Sequence, residues 1–249
     1  MSKSAITLVF IHGFAANQTV WGECLDHFAK QYPVNAIDLP GYGESKNITA
    51  HTLHQIACAV RDTCPTPALW IGWSFGAHVA RYLAKLVPDH TKGLITFCSN
   101  PKFVASPDWP GISPIAFNTL YDLFSVHPDK ALTRFFTLQG VELNKDIRGR
   151  LLSLKKHAEQ LNPDILLRDL TILRDTDLRD NCSLSIRELN IFGRQDRLVP
   201  IAVAERLKDL SAHAQSATIY GATHVPFLSH LSECLTHMDP FIHDILTHR

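Results

Sequence analysis

The 249-residue sequence has no excess of either charge, because 24 Lys and Arg residues balance 24 Asp and Glu residues. A balanced chain has no overall attraction for nucleic acid or an acidic membrane, so we expect neither as a partner. No apolar run approaches the roughly 20 residues needed to cross a bilayer, and no membrane-spanning helix is expected. The first apolar stretch lacks a small-residue cleavage site, so no signal peptide is expected and we predict a cytoplasmic protein.

Motifs for metals, phosphates and redox chemistry are also missing. The six cysteines form no C-x-x-C pair, and we interpret them as structural thiols in a reducing compartment. The 14 histidines include no H-x-x-x-H or H-E-x-x-H pair, so neither a metal nor a cofactor is expected. The phosphate-binding patterns G-x-x-x-x-G-K-[ST] and G-x-G-x-x-G are absent, and the segment Gly41–Gly43 is typical of a turn.

The sequence does contain an apolar, strand-like stretch that reaches Gly72 and is followed at once by a helical pattern. Between the two lies G-x-S-x-G, which spans Gly72–Gly76 and has Ser74 at its centre. In this context a serine sits in a strained turn with its hydroxyl raised above the sheet edge. Ser74 is therefore the candidate nucleophile, and a chance Gly/Ser turn is the alternative.

Strand-like and helix-like segments alternate over the first hundred residues with short connections. The apolar strand segments are Thr7–Ile11, Val34–Asp38, Ala68–Gly72 and Gly93–Cys98. This alternation predicts an α/β fold with a mostly parallel central sheet and helices on both faces. Thr49 is expected to cap the helix that covers Leu53 and Val60.

The alternation stops between about Ser106 and Asp180, where helical periodicity continues without a convincing strand. Four helices are predicted there, over Ile115–Phe124, Lys130–Leu138, Ile147–Leu161 and Ile165–Leu173. This much chain is too long for a loop, so we expect residues 106–180 to form a helical cap. Residues 1–105 and 181–249 would then form the core of one catalytic unit. The second part of the core has predicted elements Ile186–Phe192 (strand), Ala202–Leu210 (helix), Ala217–Tyr220 (strand) and Leu231–Leu246 (helix).

A serine hydroxyl needs a base near neutral pH, and the base needs an acid that fixes its tautomer. Asp196 and His224 each follow a predicted strand, at the same sheet edge as Ser74, and they follow the serine in the expected order. They are the candidate acid and base, although Asp196 could instead cap a helix and His224 could be a surface histidine. The rival carboxylates and histidines are Asp38, Asp175, Asp177, Asp180, His12 and His230.

Two backbone N–H groups are expected to face the oxyanion that develops on a substrate. One belongs to Phe75, directly after the candidate nucleophile, and the other to Phe14, in the loop after the first strand. Losing one such donor costs about 3 kcal/mol of transition-state stabilisation. His12 is better suited to orienting the Phe14 loop than to acting as the base.

Taken together, these motifs resemble the α/β-hydrolase superfamily across nearly the whole chain. The segments that carry this resemblance are His12–Gly13, Asp38–Ser45, Gly72–Gly76, Phe192–Pro200 and Gly221–His224. A closer similarity is to the carboxylesterases of biotin synthesis, which hydrolyse the methyl ester of pimeloyl-acyl-carrier protein and release methanol. It is carried by His12–Phe14 with Val20–Trp21, Trp70–Ser74, Ser99–Pro101 with Trp109–Ile112, Arg134–Gln139 and Ala222–His230.

The resemblance implies a serine carboxylesterase with Ser74 as nucleophile, Asp196 as acid and His224 as base. It also implies an acyl pocket lined by Phe14, Phe75, Phe135, Phe136, Thr137, Leu138 and Gln139. Phe14 stands where relatives commonly have Trp, and Phe75 where they commonly have Leu, which alters the shape of that pocket. The implied substrates are an ester on an acyl-carrier protein and small esters, and we expect the chain to act as a monomer.

The stretch from Lys130 to Lys156 carries seven basic residues against two acidic ones, Glu142 and Asp146. Because carrier proteins are acidic, a basic surface here could steer one to the mouth of the site. The alternative is an ordinary solvated helix face. The hypothesis assigns carrier docking to Lys130, Arg134, Arg148, Arg150, Lys155 and Lys156.

Three other functions stay open at this point. One is a general short-chain carboxylesterase, and another is a lyase or C–C hydrolase of the menaquinone-synthesis type, which shares the triad. The third is a ligand sensor that binds without useful turnover. Hydrolysis of p-nitrophenyl butyrate would argue against a lyase, and labelling of Ser74 by a fluorophosphonate would argue against a sensor.

Overall fold

The computed structural model describes residues 6–64, 67–140, 145–183 and 185–247. Within these ranges six strands form one sheet in the order β2-β1-β3-β4-β5-β6, and every neighbouring pair is parallel. The strands are β1 (Thr7–Ile11), β2 (Val34–Ile37), β3 (Ala68–Trp73), β4 (Thr91–Phe97), β5 (Glu188–Gly193) and β6 (Ala214–Ile219). The predicted parallel sheet is therefore confirmed.

Helices connect the strands and flank the sheet. They are α1 (Gly22–Ala29), α2 (Leu53–Asp62), α3 (Phe75–Leu86), α4 (Pro114–Val126), α5 (Pro128–Gly140), α6 (Lys145–Ala158), α7 (Pro163–Asp175), α8 (Ala202–Leu210), α9 (Pro226–Ser229) and α10 (Leu231–Thr247). The chain moves from β1 to β2 and then back across β1 to β3, so right-handed crossovers place helices on both faces. This reversal makes the carboxyl ends of β1 and β3 a switch point, where ligands of parallel sheets bind.

Four consecutive helices, α4 to α7, separate β4 from β5, and we call them the helical segment. Among the described residues between β4 and β5, the structure has only isolated bridges and no strand. Ser113 and Asn162 cap α4 and α7, and each is followed by a proline that suits the first helical position. Helix α6 ends at Ala158, three residues before the predicted end at Leu161. The helix has to end early because Asn162 already caps the next helix, α7.

Two local predictions were wrong at their ends. Thr52, not Thr49, caps α2, because its Oγ1 accepts a hydrogen bond from the Gln55 N–H at 3.2 Å. The edge strand β6 begins at Ala214, three residues before the predicted start. These residues were not predicted as strand because the first half of β6 is polar and partly exposed. Across the part of the chain that the structure describes, no helix is both long and apolar enough to cross a membrane.

Candidate active site

Ser74 occupies a strained turn between β3 and α3. Its φ of 52° and ψ of −115° are unusual for a residue with a side chain, and its N–H donates to Phe97 O at 2.9 Å. A Cβ at Gly72 would lie 2.5 Å from Ala77 Cα, and a Cβ at Gly76 would overlap the carbonyl oxygens that end β1. The two glycines therefore let strand and helix approach closely enough to hold this turn.

Asp196 and His224 form a buried pair in the loops that follow β5 and β6. The Nδ1–H of His224 donates to Asp196 Oδ2 at 2.7 Å, and both side chains are 1% exposed. The other carboxylate oxygen accepts from the N–H groups of Leu198 and Val199, at 2.8 and 3.1 Å. Asp196 is thus held on both oxygens, and it fixes the proton of His224 on Nδ1.

The lone pair on His224 Nε2 is left available by this tautomer. Within the described residues Nε2 is buried and has no hydrogen-bond partner, so the bond to the Ser74 hydroxyl is not made here. Such bonds are often long before substrate binds. The indole N–H of Trp73, the residue beside Ser74, donates to His224 O at 2.8 Å, and the ring packs against Gly13. Trp73 therefore contacts both the loop after β1 and the loop after β6.

The two expected oxyanion donors lie at the switch point. Phe75 is the first residue of α3, so its N–H has no carbonyl partner inside that helix. Phe14 follows β1, and its ring packs edge-on against Phe124 and Phe135 of the helical segment, with centroids 5.4 and 5.0 Å away. The start of α3 contacts the end of β1 at Gly76, which brings the two loops together.

His12 has a structural role beside this site. Its Nδ1 contacts Gly13 O at 2.8 Å, and its Nε2 accepts from the Leu39 N–H at 3.0 Å. Burial lowers the pKa of His12, so the ring stays neutral and joins the loops after β1 and β2. Asp38 is likewise occupied, because it accepts from the backbone N–H groups of Gln18 and Glu44.

The other rivals lie elsewhere. Asp175 pairs with Arg174, and Asp177 pairs with Arg179, both at the surface. Asp180 belongs to a short 3₁₀ helix after the helical segment, and the His230 ring contacts Ser229 Oγ at the end of α9. Among the described residues, Asp196 is the carboxylate that binds His224.

The five predicted pocket residues of α5 divide between the interior beside Phe14 and a groove on the surface. Phe135 meets Phe14, and Gln139, one turn later on the same face, is fully buried with an amide that has no partner in the described chain. Leu138 is partly buried against the core. Phe136 and Thr137 instead line a surface groove of about 420 Å³ between α5 and α6, whose other residues are Thr133, Arg148, Leu151, Leu152 and Lys155.

The basic residues of the helical segment do not form one face. Arg148 and Lys155 line the α5–α6 groove, whereas Arg150 forms an ion pair with Glu23 of α1. Lys155 also pairs with Glu159 on its own helix. The remaining predicted docking residues, Lys130, Arg134 and Lys156, are exposed, and the acidic Glu142 lies outside the described residues.

One residue near the site was missed from the sequence. Cys98 directly follows β4, and its thiol, a carboxylate oxygen of Asp196 and a ring nitrogen of His224 all lie within 4.8 Å of one another. Its position after a strand, at the same edge as Ser74, was the available signal. A cavity of about 610 Å³ between the loop after β2 and the junction of α6 and α7 contains none of these residues.

Comparisons with known proteins agree with this geometry. A family model described as the alpha/beta hydrolase fold matches residues 6–231. The pimeloyl-[acyl-carrier protein] methyl ester esterase of Vibrio campbellii is 37% identical over 233 residues, which cover 92% of this chain and 91% of that protein. The protein of the same name from Yersinia pseudotuberculosis is 35% identical over 226 residues, covering 90% and 88%.

Solved structures share the fold at lower identity. A hydrolase from Oleispira antarctica has a TM-score of 0.87 and 19% identity, covering 97% of this chain and 91% of that one. An esterase from Exiguobacterium antarcticum has a TM-score of 0.83 and 18% identity, covering 98% and 92%. The chain belongs to the α/β-hydrolase family.

Proposed function

We propose that this carboxylic ester hydrolase cleaves the methyl ester of pimeloyl-[acyl-carrier protein] and releases methanol, as a step of biotin synthesis. The chemistry rests on one observation, the buried hydrogen bond between Asp196 and His224 beside the strained turn of Ser74. The substrate rests on the names of relatives that are 35–37% identical over about nine-tenths of the chain.

The reaction proceeds through an acyl-enzyme. Ser74 Oγ attacks the ester carbonyl while His224 Nε2 takes its proton, and Asp196 stabilises the imidazolium. The N–H groups of Phe14 and Phe75 bind the oxyanion. His224 then returns the proton to the leaving methoxide, and water, deprotonated by the same histidine, releases the acid and restores Ser74.

The acyl chain would lie between the core and the helical segment. Ser74 is 8% exposed and His224 is 1% exposed, so the reacting atoms are shielded from solvent. Phe14 and Phe135 supply an apolar wall, and the unpaired amide of Gln139 offers a polar contact. In this proposal residues 106–180 form a cap over a core made of residues 1–105 and 181–249.

An acidic carrier would dock on the cap. The α5–α6 groove combines apolar Phe136, Leu151 and Leu152 with the cations of Arg148 and Lys155, which suits an acidic partner with apolar contacts. Arg150 faces Glu23 and would contribute less. We further propose that the enzyme works as a cytoplasmic monomer without a metal or cofactor. The free cysteines suit a reducing compartment.

The chemistry is tested by replacing the proposed nucleophile. Ser74→Ala should lower methanol release from the methyl ester of pimeloyl-carrier protein by about 10⁴-fold or more, while the circular dichroism spectrum is unchanged. The matched control is Ser125→Ala, which removes an exposed hydroxyl from α4. Substantial activity in Ser74→Ala would refute the proposed mechanism.

The carrier is tested with two substrates of the same enzyme. Arg148→Glu should raise KM for the carrier-bound ester and leave the hydrolysis of p-nitrophenyl butyrate unchanged, because only the former docks on the groove. Lys208→Glu reverses an exposed charge on α8 and is the control. Equal effects on both substrates would favour a general short-chain esterase.

A further inference from the structure

Cys98 carries chemistry that the proposed mechanism does not use. It is fully buried, and its left-handed backbone, with φ of 45°, is uncommon for a residue with a side chain. Its N–H donates to Ile191 O at 2.8 Å, and its Sγ lies 3.7 Å from Thr223 O. The ends of β4, β5 and β6 thus bring a thiol, a carboxylate and an imidazole to one place.

Thiolate, imidazole and carboxylate are the ligands that Zn²⁺ takes in proteins. A tetrahedral ion needs donor atoms about 3.5 Å apart, as follows from metal–ligand distances of about 2.0–2.3 Å. The donor atoms of Cys98, Asp196 and His224 all lie within 4.8 Å of one another, so modest side-chain rotations suffice. His224 Nδ1 is bonded to Asp196, itself one of the three ligands, and Nε2 has no partner among the described residues, so Nε2 can take the proton when an ion occupies Nδ1.

We propose that Cys98, Asp196 and His224 form an inhibitory site for a thiophilic divalent cation, Zn²⁺ or Cd²⁺, that enters from the active site. The inference rests on the proposed role of His224 as the base. The ion takes the place of the hydrogen bond between Asp196 and His224. It is a reversible inhibitor and not a cofactor of the reaction.

The chemistry of binding explains the inhibition. The Cys98 thiol releases one proton to solvent and forms a sulfur–metal bond. His224 binds through Nδ1, so its proton moves to Nε2, while Asp196 exchanges its hydrogen bond for a metal bond. With a proton on Nε2 the ring can no longer accept one from Ser74, and catalysis stops.

A second pair of a thiol and an imidazole provides the control. Cys58 Sγ lies 3.6 Å from His54 Nε2 on the surface of α2, and this pair does not include a proposed catalytic residue. Cys58→Ala therefore removes a competing thiol without touching the site. Cys98→Ala removes the proposed sulfur ligand and keeps the serine, the base and the acid.

The experiment titrates p-nitrophenyl butyrate hydrolysis with ZnCl₂ and CdCl₂. The native chain and Cys58→Ala should be inhibited, and EDTA should restore their activity. Without added metal, Cys98→Ala should keep its activity. The metal concentration that inhibits Cys98→Ala should be at least about tenfold higher than for the native chain. Equal sensitivity of Cys98→Ala and the native chain would overturn the proposal.

Binding is also measured without turnover. In the Cys58→Ala background, which lacks the competing surface thiol, Ser74→Ala should bind one Cd²⁺ per chain, with the ultraviolet absorption of a cadmium–thiolate bond. Adding Cys98→Ala should remove that absorption, and an unchanged absorption would overturn the site. If the native chain hydrolyses no ester but this absorption follows Cys98, the proposed function fails and the cation site stands. If Cd²⁺ binds through Cys98 and hydrolysis continues, inhibition is refuted.

Discussion

His78 lies on α3, one turn after Ser74, and is buried with both ring nitrogens unpaired within the described chain. Burial, together with a smaller contribution from the charge of the nearby Arg81, lowers its pKa to about 3. The ring is therefore neutral in the folded protein, at pH values where an exposed histidine would be charged. A residue so close to the proposed nucleophile makes the core around α3 sensitive to acid.

Replacing His78 should change how stability depends on pH. The folded pKa lies below the unfolded value of about 6.5, so the unfolded chain takes up the proton first and stability falls as the pH drops below 6.5. At pH 4.5 this costs about 3 kcal/mol. In urea titrations at pH 7 and 4.5, His78→Leu should lose less stability than the native chain. The exposed His51→Gln is the control, and an equal loss in His78→Leu would contradict the prediction.

Gln139 is fully buried, and neither amide atom finds a partner in the described residues. An unpaired buried amide costs stability, so the shape-matched Gln139→Met should raise the free energy of unfolding by about 1–3 kcal/mol. The same change should lower kcat/KM for the carrier-bound ester, because the proposed polar contact is lost. Thermal unfolding and ester kinetics measure the two effects, with exposed Gln160→Met as control. A gain in both would argue against a role in the pocket.

At the scale of secondary-structure elements, α7 is hydrogen-bonded to the loop after β2. Tyr42 donates to Asp169 Oδ2 at 2.6 Å, and Arg168 donates to Asp169 and to the carbonyl oxygens of Pro40 and Ala50. Burial raises the pKa of Asp169 to about 6, which shows how far this contact is removed from water. The helical segment is therefore anchored by polar groups at its α7 end.

Tyr42→Phe removes one donor from this anchor and leaves a buried carboxylate oxygen with fewer partners. We expect a loss of about 1–3 kcal/mol, concentrated in α7. Hydrogen exchange should accelerate in α7 while the strands β3 and β4 stay protected. Tyr220→Phe alters an exposed phenol and should change nothing. Uniform acceleration across the sheet would contradict a local anchor.

The sequence was most informative where one local pattern decides the structure. The strand Thr7–Ile11 and the helix Ala202–Leu210 have their predicted bounds, since each has a strong apolar pattern. The start of β6 was missed because an exposed edge strand carries polar residues that resemble a loop. The cap of α2 was misplaced because Thr49 and Thr52 carry the same cue, and only packing selects between them.

The candidate site likewise contains some contacts that sequence patterns predict and others that they do not. The pairing of Asp196 with His224 was expected because both follow strands in the order that the Ser74 motif requires. The contact of Tyr42 with Asp169 joins positions 127 residues apart, and no spacing rule predicts it. Cys98 was interpreted as a structural thiol, because its neighbours in space belong to two later loops and only its position after β4 pointed to the site.

For the whole molecule, a net charge of zero hides a local excess of basic residues between Lys130 and Lys156. If the basic residues there steer an acidic carrier, added salt should screen the attraction, because the Debye length falls from about 30 Å at 0.01 M to about 3 Å at 1 M. Over this range kcat/KM for the carrier-bound ester should fall several-fold, while that for p-nitrophenyl butyrate stays constant. Parallel salt curves for the two substrates would show that no long-range steering occurs.

Trp73 connects the loops after β1 and β6 to Ser74, and this makes it an optical reporter of the site. The chain has four tryptophans, at positions 21, 70, 73 and 109, and all are at most 2% exposed. Trp73 is the one whose ring lies beside the His224 imidazole, with centroids 5.7 Å apart. The fluorescence of Trp73 would therefore report changes beside His224 in real time, without a label.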